Sequence, residues 1–312
     1  MRAVGVRVPG GPDALEVLDL PEPHAGPGEL RIRVRAAAVN PTDTLQRATR
    51  RQDVDPPWVP GMDVAGVVDE VGGGNPDGIG APLSVGDAAM AVVVPSGTHG
   101  AYAEYVVVPV GSATALPDGA DAVAAATLPM NGLTARLALD ELAVPAGGTL
   151  AVTGAAGAFG GYVVQLAVAA GIRVVADAAD DDRDLVRALG ADVVLARGDG
   201  FAAAVREVVP DGVDGLADGS VQGEALLPAV RDGGRVATVR GYRGSEVRGI
   251  TWHPVWVRTI AEDRAKLDGL RALASSGALT LRVAGTYPAE RAADAHRALE
   301  AGGQRGRAVL TF

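Results

Sequence analysis

The sequence predicts an α/β protein in which a doubly wound parallel sheet follows a region of short, turn-separated strands. Three observations predict this. Residues 154–160, Gly-Ala-Ala-Gly-Ala-Phe-Gly, stand between an apolar strand-type run, Thr149–Thr153, and a helix-type run that ends at Gly171. From there to residue 239, strand-like and helix-like segments alternate, the pattern of a parallel sheet covered by helices on both faces. Before residue 119, short runs broken by Gly and Pro suggest a compact β-barrel.

Each element has its own signal. Arg2–Val8 and Leu15–Leu20 read as strands, and Pro21–Gly28 as an extended loop. Glu29–Ala37 sets Leu30, Ile32 and Val34 against Arg31, Arg33 and Arg35, the alternation of a half-buried strand. Val64–Val71, Ala88–Val94 and Tyr102–Pro109 continue the series, with Gly72–Gly78 a flexible surface loop. Asp121–Ala126 and Gly132–Leu142 read as helices. Strands follow at 149–153, 172–176 and 192–195, and helices at 160–170, 181–189 and 200–208. After a strand ending at Asp218 come a helix over 223–231 and a strand over Arg235–Val239. The chain ends with helices at 264–275 and 289–300 and strands at 280–285 and 307–312.

Composition narrows the function. The 312 residues are 48% hydrophobic and 21% charged, which suits one large or two ordinary soluble domains. A net charge of −10 and a pI of about 4.9, without a basic stripe, argue against nucleic-acid binding. There are no cysteines, so disulfides, thiolate metal sites and cysteine nucleophiles are excluded. No apolar run reaches the ~20 residues of a membrane span. Met1–Val6 has no apolar signal core. A cytoplasmic protein is expected.

The glycine turn carries the chemistry. Between a strand and a helix, Gly154 allows a sharp turn, Gly157 lets a pyrophosphate approach the backbone, and Gly160 lets the helix pack closely on the strand. The helix start then offers free N–H groups and a positive dipole end. Ala156, Ala158 and Phe159 share this cofactor-binding stretch.

Several segments together resemble one family. They are Ala38–Asp43, Gly61–Gly66, Gly86-Asp87, Gly100–Tyr105, Leu133–Ala135, the 154–160 turn, Leu189–Asp192, Gly233–Val236 and Ala295–Arg297. In this order and spacing, over almost the whole chain, they resemble the zinc-independent quinone oxidoreductases of the medium-chain dehydrogenase/reductase superfamily. The resemblance implies a Rossmann doubly wound parallel sheet at 121–280. It also implies a GroES-like β-barrel catalytic domain from residues 1–120 with 281–312, and an active site in the cleft between the two. It further implies a homodimer, with Thr251–Ile260 as part of the contact.

The resemblance also bears on metal. Where zinc-dependent relatives have their first cysteine this chain has Asn40, and the family's Gly-His-Glu reads Gly61-Met62-Asp63. An amide and a thioether are poor zinc ligands, and the four histidines are scattered, so no metal is expected. Without a Lewis acid to stabilise an alkoxide, alcohol oxidation is disfavoured. Hydride addition to a quinone or an α,β-unsaturated carbonyl remains, with the nicotinamide supplying the hydride.

Asn40 and Thr134 are placed near the nicotinamide by the resemblance. Asn40 either hydrogen-bonds a carbonyl there or caps the Pro41-Thr42-Asp43 turn. A tyrosine common in relatives is replaced by Leu45, so a phenolic proton donor is missing at that place. Water, Tyr242 or His253 then completes the reaction. Val239, Gly241 and Tyr242 follow a parallel strand at its carboxyl end, where ligands bind. Asn40 and Tyr242 are the catalytic candidates.

Cofactor preference is read from two opposing signals. Asp177, with Ala179 close behind it, ends the second strand, where an acid favours NAD(H); but Ala178 occupies the place of the usual ribose-binding acid. Arg183 and Arg197 suit a 2′-phosphate, and NADP(H) is favoured. Two other readings are an enoyl-thioester reductase of polyketide or fatty-acid metabolism and a non-catalytic nucleotide-binding protein of the same fold.

Overall fold

The structure, a computed structural model, describes residues 1–49, 54–73 and 83–312. The expected loop Gly72–Gly78 lies outside the described residues from residue 74 onward. The chain forms two compact units: residues 1–130, 261–277 and 281–312 make the first, and 131–260 with 278–280 the second.

Unit one is built on β1 (Arg2–Gly5), β2 (Glu16–Asp19), β3 (Glu29–Ala38), helix α1 (Pro41–Ala48), β4 (Asp63–Val71), β5 (Ala88–Val92), β6 (Tyr105–Pro109), β7 (Ala113–Ala115) and the short α2 (Ala122–Ala125). β3 is its spine. Leu30, Ile32 and Val34 are buried, while Arg33 and Arg35 on the other face are exposed, as the alternation predicts.

Unit two opens within α3 (Pro129–Leu142) and continues through β8 (Thr149–Thr153), α4 (Ala158–Ala169), β9 (Arg173–Ala178), α5 (Arg183–Ala188), β10 (Val193–Ala196), α6 (Phe201–Val208), β11 (Val213–Asp218), β12 (Val230–Thr238) and β13 (Thr251–Pro254). The sheet order is β10-β9-β8-β11-β12-β13 and every neighbouring pair is parallel. Numbered along this sheet the order is 3-2-1-4-5-6, the doubly wound arrangement whose strand order reverses between β8 and β11. α4 is apolar almost all round and nearly all buried, as a helix against a sheet must be.

The chain then returns to unit one through α7 (Arg264–Ser275), β14 (Val283–Pro288), α8 (Ala292–Glu300) and β15 (Arg307–Thr311). β15 pairs antiparallel with β3, giving the sheet order β14-β15-β3-β4-β5-β7, with β6 also on β3. One apolar core runs from Leu30, Ile32 and Val64 to Ala295 and Leu310. Among the described residues, no helix is long and apolar enough to cross a membrane.

Several elements differ from the sequence expectation. The expected turn at 41–43 is the start of α1, with Pro41 at the first helical position. The helix expected over 160–170 starts at Ala158. The helix expected over 223–231 is a 3-10 stretch, Gly223–Ala229, because Pro228 has no N–H to continue an α-helix, and the strand begins at Val230. The strand expected from Tyr102 begins at Tyr105, because Tyr102 is turned inward with its hydroxyl in a buried polar network. The strand expected at 280–285 lies at Val283–Pro288.

Candidate functional site

In unit two the glycine turn joins β8 to α4 at the strand-order reversal. Gly154 has φ +67°, a conformation that favours glycine. A Cβ on Gly160 would lie 2.3 Å from the Gly154 carbonyl oxygen, so the helix sits on the turn as closely as backbone allows. Gly157 caps α4 with extended backbone, and a Cβ there would meet only that same oxygen, at 3.1 Å. The turn is thus sharp at Gly154 and tightly packed at Gly160. The Phe159 ring packs on Gly219, just past the end of β11: a Cβ on Gly219 would lie 3.1 Å from it.

Two buried carboxylates hold this region. Asp218 ends β11 and accepts from Thr153 Oγ1 at 2.9 Å, Gly223 N at 2.8 Å and Gln222 N at 3.2 Å. Asp177 accepts from Ala155 N at 3.1 Å, and burial pushes its carboxyl up while hydrogen bonds from the turn pull it down. Asp177 therefore braces the glycine turn from β9. Ala178 beside it is buried.

The two arginines differ. The Arg183 guanidinium donates to the Val194 carbonyl at 2.8 Å and pairs loosely with Asp180 at 3.8 Å. Arg197 is exposed, and its charge favours ionised Asp177. Tyr242 is partly buried against the β-sheet core, with its ring edge-on to Trp252 at 5.6 Å. His253 contacts Glu141 Oε2 through Nδ1 and Thr251 Oγ1 through Nε2, both at 2.9 Å. Gly241 takes φ +73° beneath the half-exposed Trp256. Thr134 lies partly buried on α3, and Ala179 follows β9 directly.

In unit one a polar cluster is assembled at the head of α1. Asn40 is fully buried. Its backbone N–H donates to Asp43 Oδ2 at 2.8 Å, the returning half of a capping box, and its Nδ2 donates to Asp63 Oδ2 at 2.6 Å. Asp63 Oδ1 accepts from Met130 N at 2.6 Å. Asp43 Oδ1 accepts from Gly61 N, and Asp43 Oδ2 accepts also from the Tyr102 hydroxyl, both at 3.2 Å. Loss of water pushes both carboxyls up to about 7; for Asp43 the neighbouring Asp63 adds to the rise, and for Asp63 Arg307 opposes it. Met62 Sδ accepts from Thr42 Oγ1 at 3.3 Å.

Sequence reading found Asn40 but missed Asp63, Tyr102 and His296. Tyr102 Oη meets His296 Nε2 at 3.1 Å, and His296 Nδ1 meets Arg47 Nη1 at 3.1 Å. The available signal was the capping-box spacing Asn40-x-x-Asp43, which marks α1 and a buried acid beside it.

Residues 26–118 match the alcohol dehydrogenase GroES-like domain family, and residues 189–310 match the family described as zinc-binding dehydrogenase. The chain is 30% identical to the chloroplastic NADPH-dependent alkenal/one oxidoreductase of Arabidopsis thaliana, over 96% of this chain and 77% of that protein. Among solved structures, an NAD-dependent alcohol dehydrogenase aligns over the whole of both chains with a TM-score of 0.87 and 29% identity. A mycobacterial quinone oxidoreductase aligns over the whole of both chains at 0.84 and 30%, and a mycobacterial protein complexed with NADPH does so at 0.86 and 30%.

Proposed function

The chain belongs to the quinone oxidoreductase family of the medium-chain dehydrogenase/reductase superfamily, and from that membership we propose that it reduces quinones or α,β-unsaturated carbonyls with NADPH. The observation that carries this reading is the donor set at the head of α1 in unit one, which is poor in metal ligands. Asn40 gives its amide hydrogen to Asp63, and Met62 offers a thioether already bonded to Thr42. Neither suits zinc, and the chain has no cysteine. The residues present therefore do not fit a catalytic zinc, and the reaction proposed is one that needs none.

The residues do fit a dinucleotide. Gly157 leaves the backbone open to a pyrophosphate, and the α4 N-terminus supplies N–H groups toward it. Arg197 is assigned to the 2′-phosphate, and Arg183 supports β10 instead. Thr134 and Val239–Tyr242 are assigned to the nicotinamide end within unit two. When bound, NADPH supplies the hydride. Asn40, fixed by Asp63 and Asp43, is assigned to hydrogen-bond a carbonyl. The Tyr242 ring packs edge-on against Trp252, and the proposed reaction routes no proton through its hydroxyl. Such substrates delocalise the negative charge of the adduct, so water suffices to protonate it.

The proposal extends to a cytoplasmic homodimer. β13 is the outer strand of the unit-two sheet, and the half-exposed Trp256 follows it. The test is NADPH oxidation with 9,10-phenanthrenequinone, 1,4-benzoquinone, a simple enone and an enoyl thioester. Turnover of the quinones or the enone is expected. Turnover of the thioester alone would replace the reading with an enoyl-thioester reductase. No turnover with intact NADPH binding would leave only a nucleotide-binding protein.

A further inference from the structure

Within unit one a single file of buried side chains leads from Asp43 to the surface. Arg47, on α1 and almost fully buried, has three acceptors for its guanidinium. Its Nε donates to the Gly10 carbonyl at 3.0 Å, its Nη2 pairs with Glu300, and its Nη1 lies 3.1 Å from His296 Nδ1. A guanidinium donates and never accepts. His296 Nδ1 must therefore be the acceptor, which leaves the proton of the neutral ring on Nε2. That Nε2–H faces Tyr102 Oη at 3.1 Å, so the tyrosine accepts from the histidine and must send its own proton to Asp43 Oδ2, 3.2 Å away. One donor-only residue thus dictates the direction of each hydrogen bond that follows.

The end of the file is Asp43, which also holds Asn40 N and Gly61 N. All three of these partners donate, so the geometry calls for an ionised carboxylate, although burial opposes the charge. The groups facing Asp43 are Asp63 from β4, Tyr102, and His296 with Arg47 beyond it; Glu300 neutralises Arg47, and Arg307 faces Asp63. Burial, and after it the charge of Arg47, together lower His296 to about 3, so the ring stays neutral and transmits polarity rather than charge.

We propose that Arg47 is a positioning residue which, acting through His296 and Tyr102, orients the hydrogen bonds at Asp43 and so fixes the two segments, Asn40 and Gly61–Met62, that Asp43 ties together. The proposal rests on the reading of Asn40 as part of the reaction site. It assigns no proton transfer to the file.

The experiment compares wild type, Arg47→Lys and Arg47→Met by ¹⁵N NMR of histidine-labelled protein, together with the pH profile of kcat/KM for an enone. Lysine is also donor-only, so Arg47→Lys keeps His296 as the neutral Nε2–H tautomer and keeps the wild-type profile. Arg47→Met releases the tautomer and moves the acidic limb of the profile up by about one pH unit, as loss of hydrogen bonding to a carboxylate requires. Tyr102→Phe serves where Arg47→Met fails to fold: it moves the acidic limb upward while His296 keeps its tautomer. An unchanged tautomer in Arg47→Met, or an unmoved profile in the variants that break the file, overturns the proposal. Failure of wild type to reduce any quinone or enone would instead overturn the reaction reading, and the NMR result would still stand or fall alone.

Discussion

The two units build their polar sites by opposite means. Unit two presents backbone: a contiguous glycine turn with few side chains, braced from behind by Asp177. Unit one presents side chains brought from distant parts of the chain: Asn40 is bonded to Asp63, and Tyr102 to Asp43 and His296. A backbone site tolerates change in its neighbours but not an added Cβ. A side-chain network tolerates added volume poorly too, but it fails first when one donor or acceptor is lost, because the remaining partner is left buried and unpaired.

The sharpest break in this contrast is at the turn. Gly160→Ala is expected to destabilise unit two by about 3 kcal/mol and to abolish NADPH binding, because backbone, not a flexible side chain, meets the new methyl. Gly157→Ala should fold with a near-normal Tm yet bind NADPH more weakly, since its Cβ enters the approach route rather than the packing contact. Thermal melts and NADPH fluorescence titration separate the two. Equal losses of Tm in both variants would contradict the distinct roles given to these glycines.

The network is probed by pH. His296 has a folded value of about 3 against an ordinary 6.5, so between these values the unfolded chain binds a proton that the folded chain refuses. Its contribution to stability is therefore lost as pH falls through that window, by up to about 1.4 kcal/mol per pH unit. Asp43 and Asp63, raised from 3.8 to about 7, act with the opposite sign: their contribution is lost as pH rises through that range. His296→Gln should be less stable than wild type near pH 7, and the gap should narrow on acidification. A constant gap in denaturant midpoints between about pH 6.5 and 4 would show that the imidazole is not held neutral.

The smallest effect lies at the rim of unit two. Arg197→Gln is expected to raise KM for NADPH about tenfold, equivalent to about 1.4 kcal/mol, and to leave KM for NADH unchanged. A parallel change for both cofactors would remove Arg197 from the 2′-phosphate.

The difference between the units also explains what the sequence made legible. The Gly154–Gly160 turn and the strands and helices flanking it were readable because their geometry is local: a strand period, three glycines, a helix. The parallel sheet covered by helices followed from the same alternation, whereas its strand order is set by pairings between distant segments. Asp63 and Tyr102 were quoted only as parts of motifs, because nothing within a few residues of either says that Asn40 or His296 will meet it. The 3-10 stretch before β12 was read as a helix although Pro228 stood in it. β13 was not read as a strand because its pairing partner, β12, decides it.

The reaction proposed for this enzyme, reduction of quinones or enones, needs no metal. The most direct measurement is kcat/KM for NADPH-dependent enone or quinone reduction before and after exhaustive dialysis against a strong chelator, with zinc content determined in both samples. Undiminished turnover is expected in protein free of zinc. Activity lost on chelation and restored by added Zn²⁺ would contradict it.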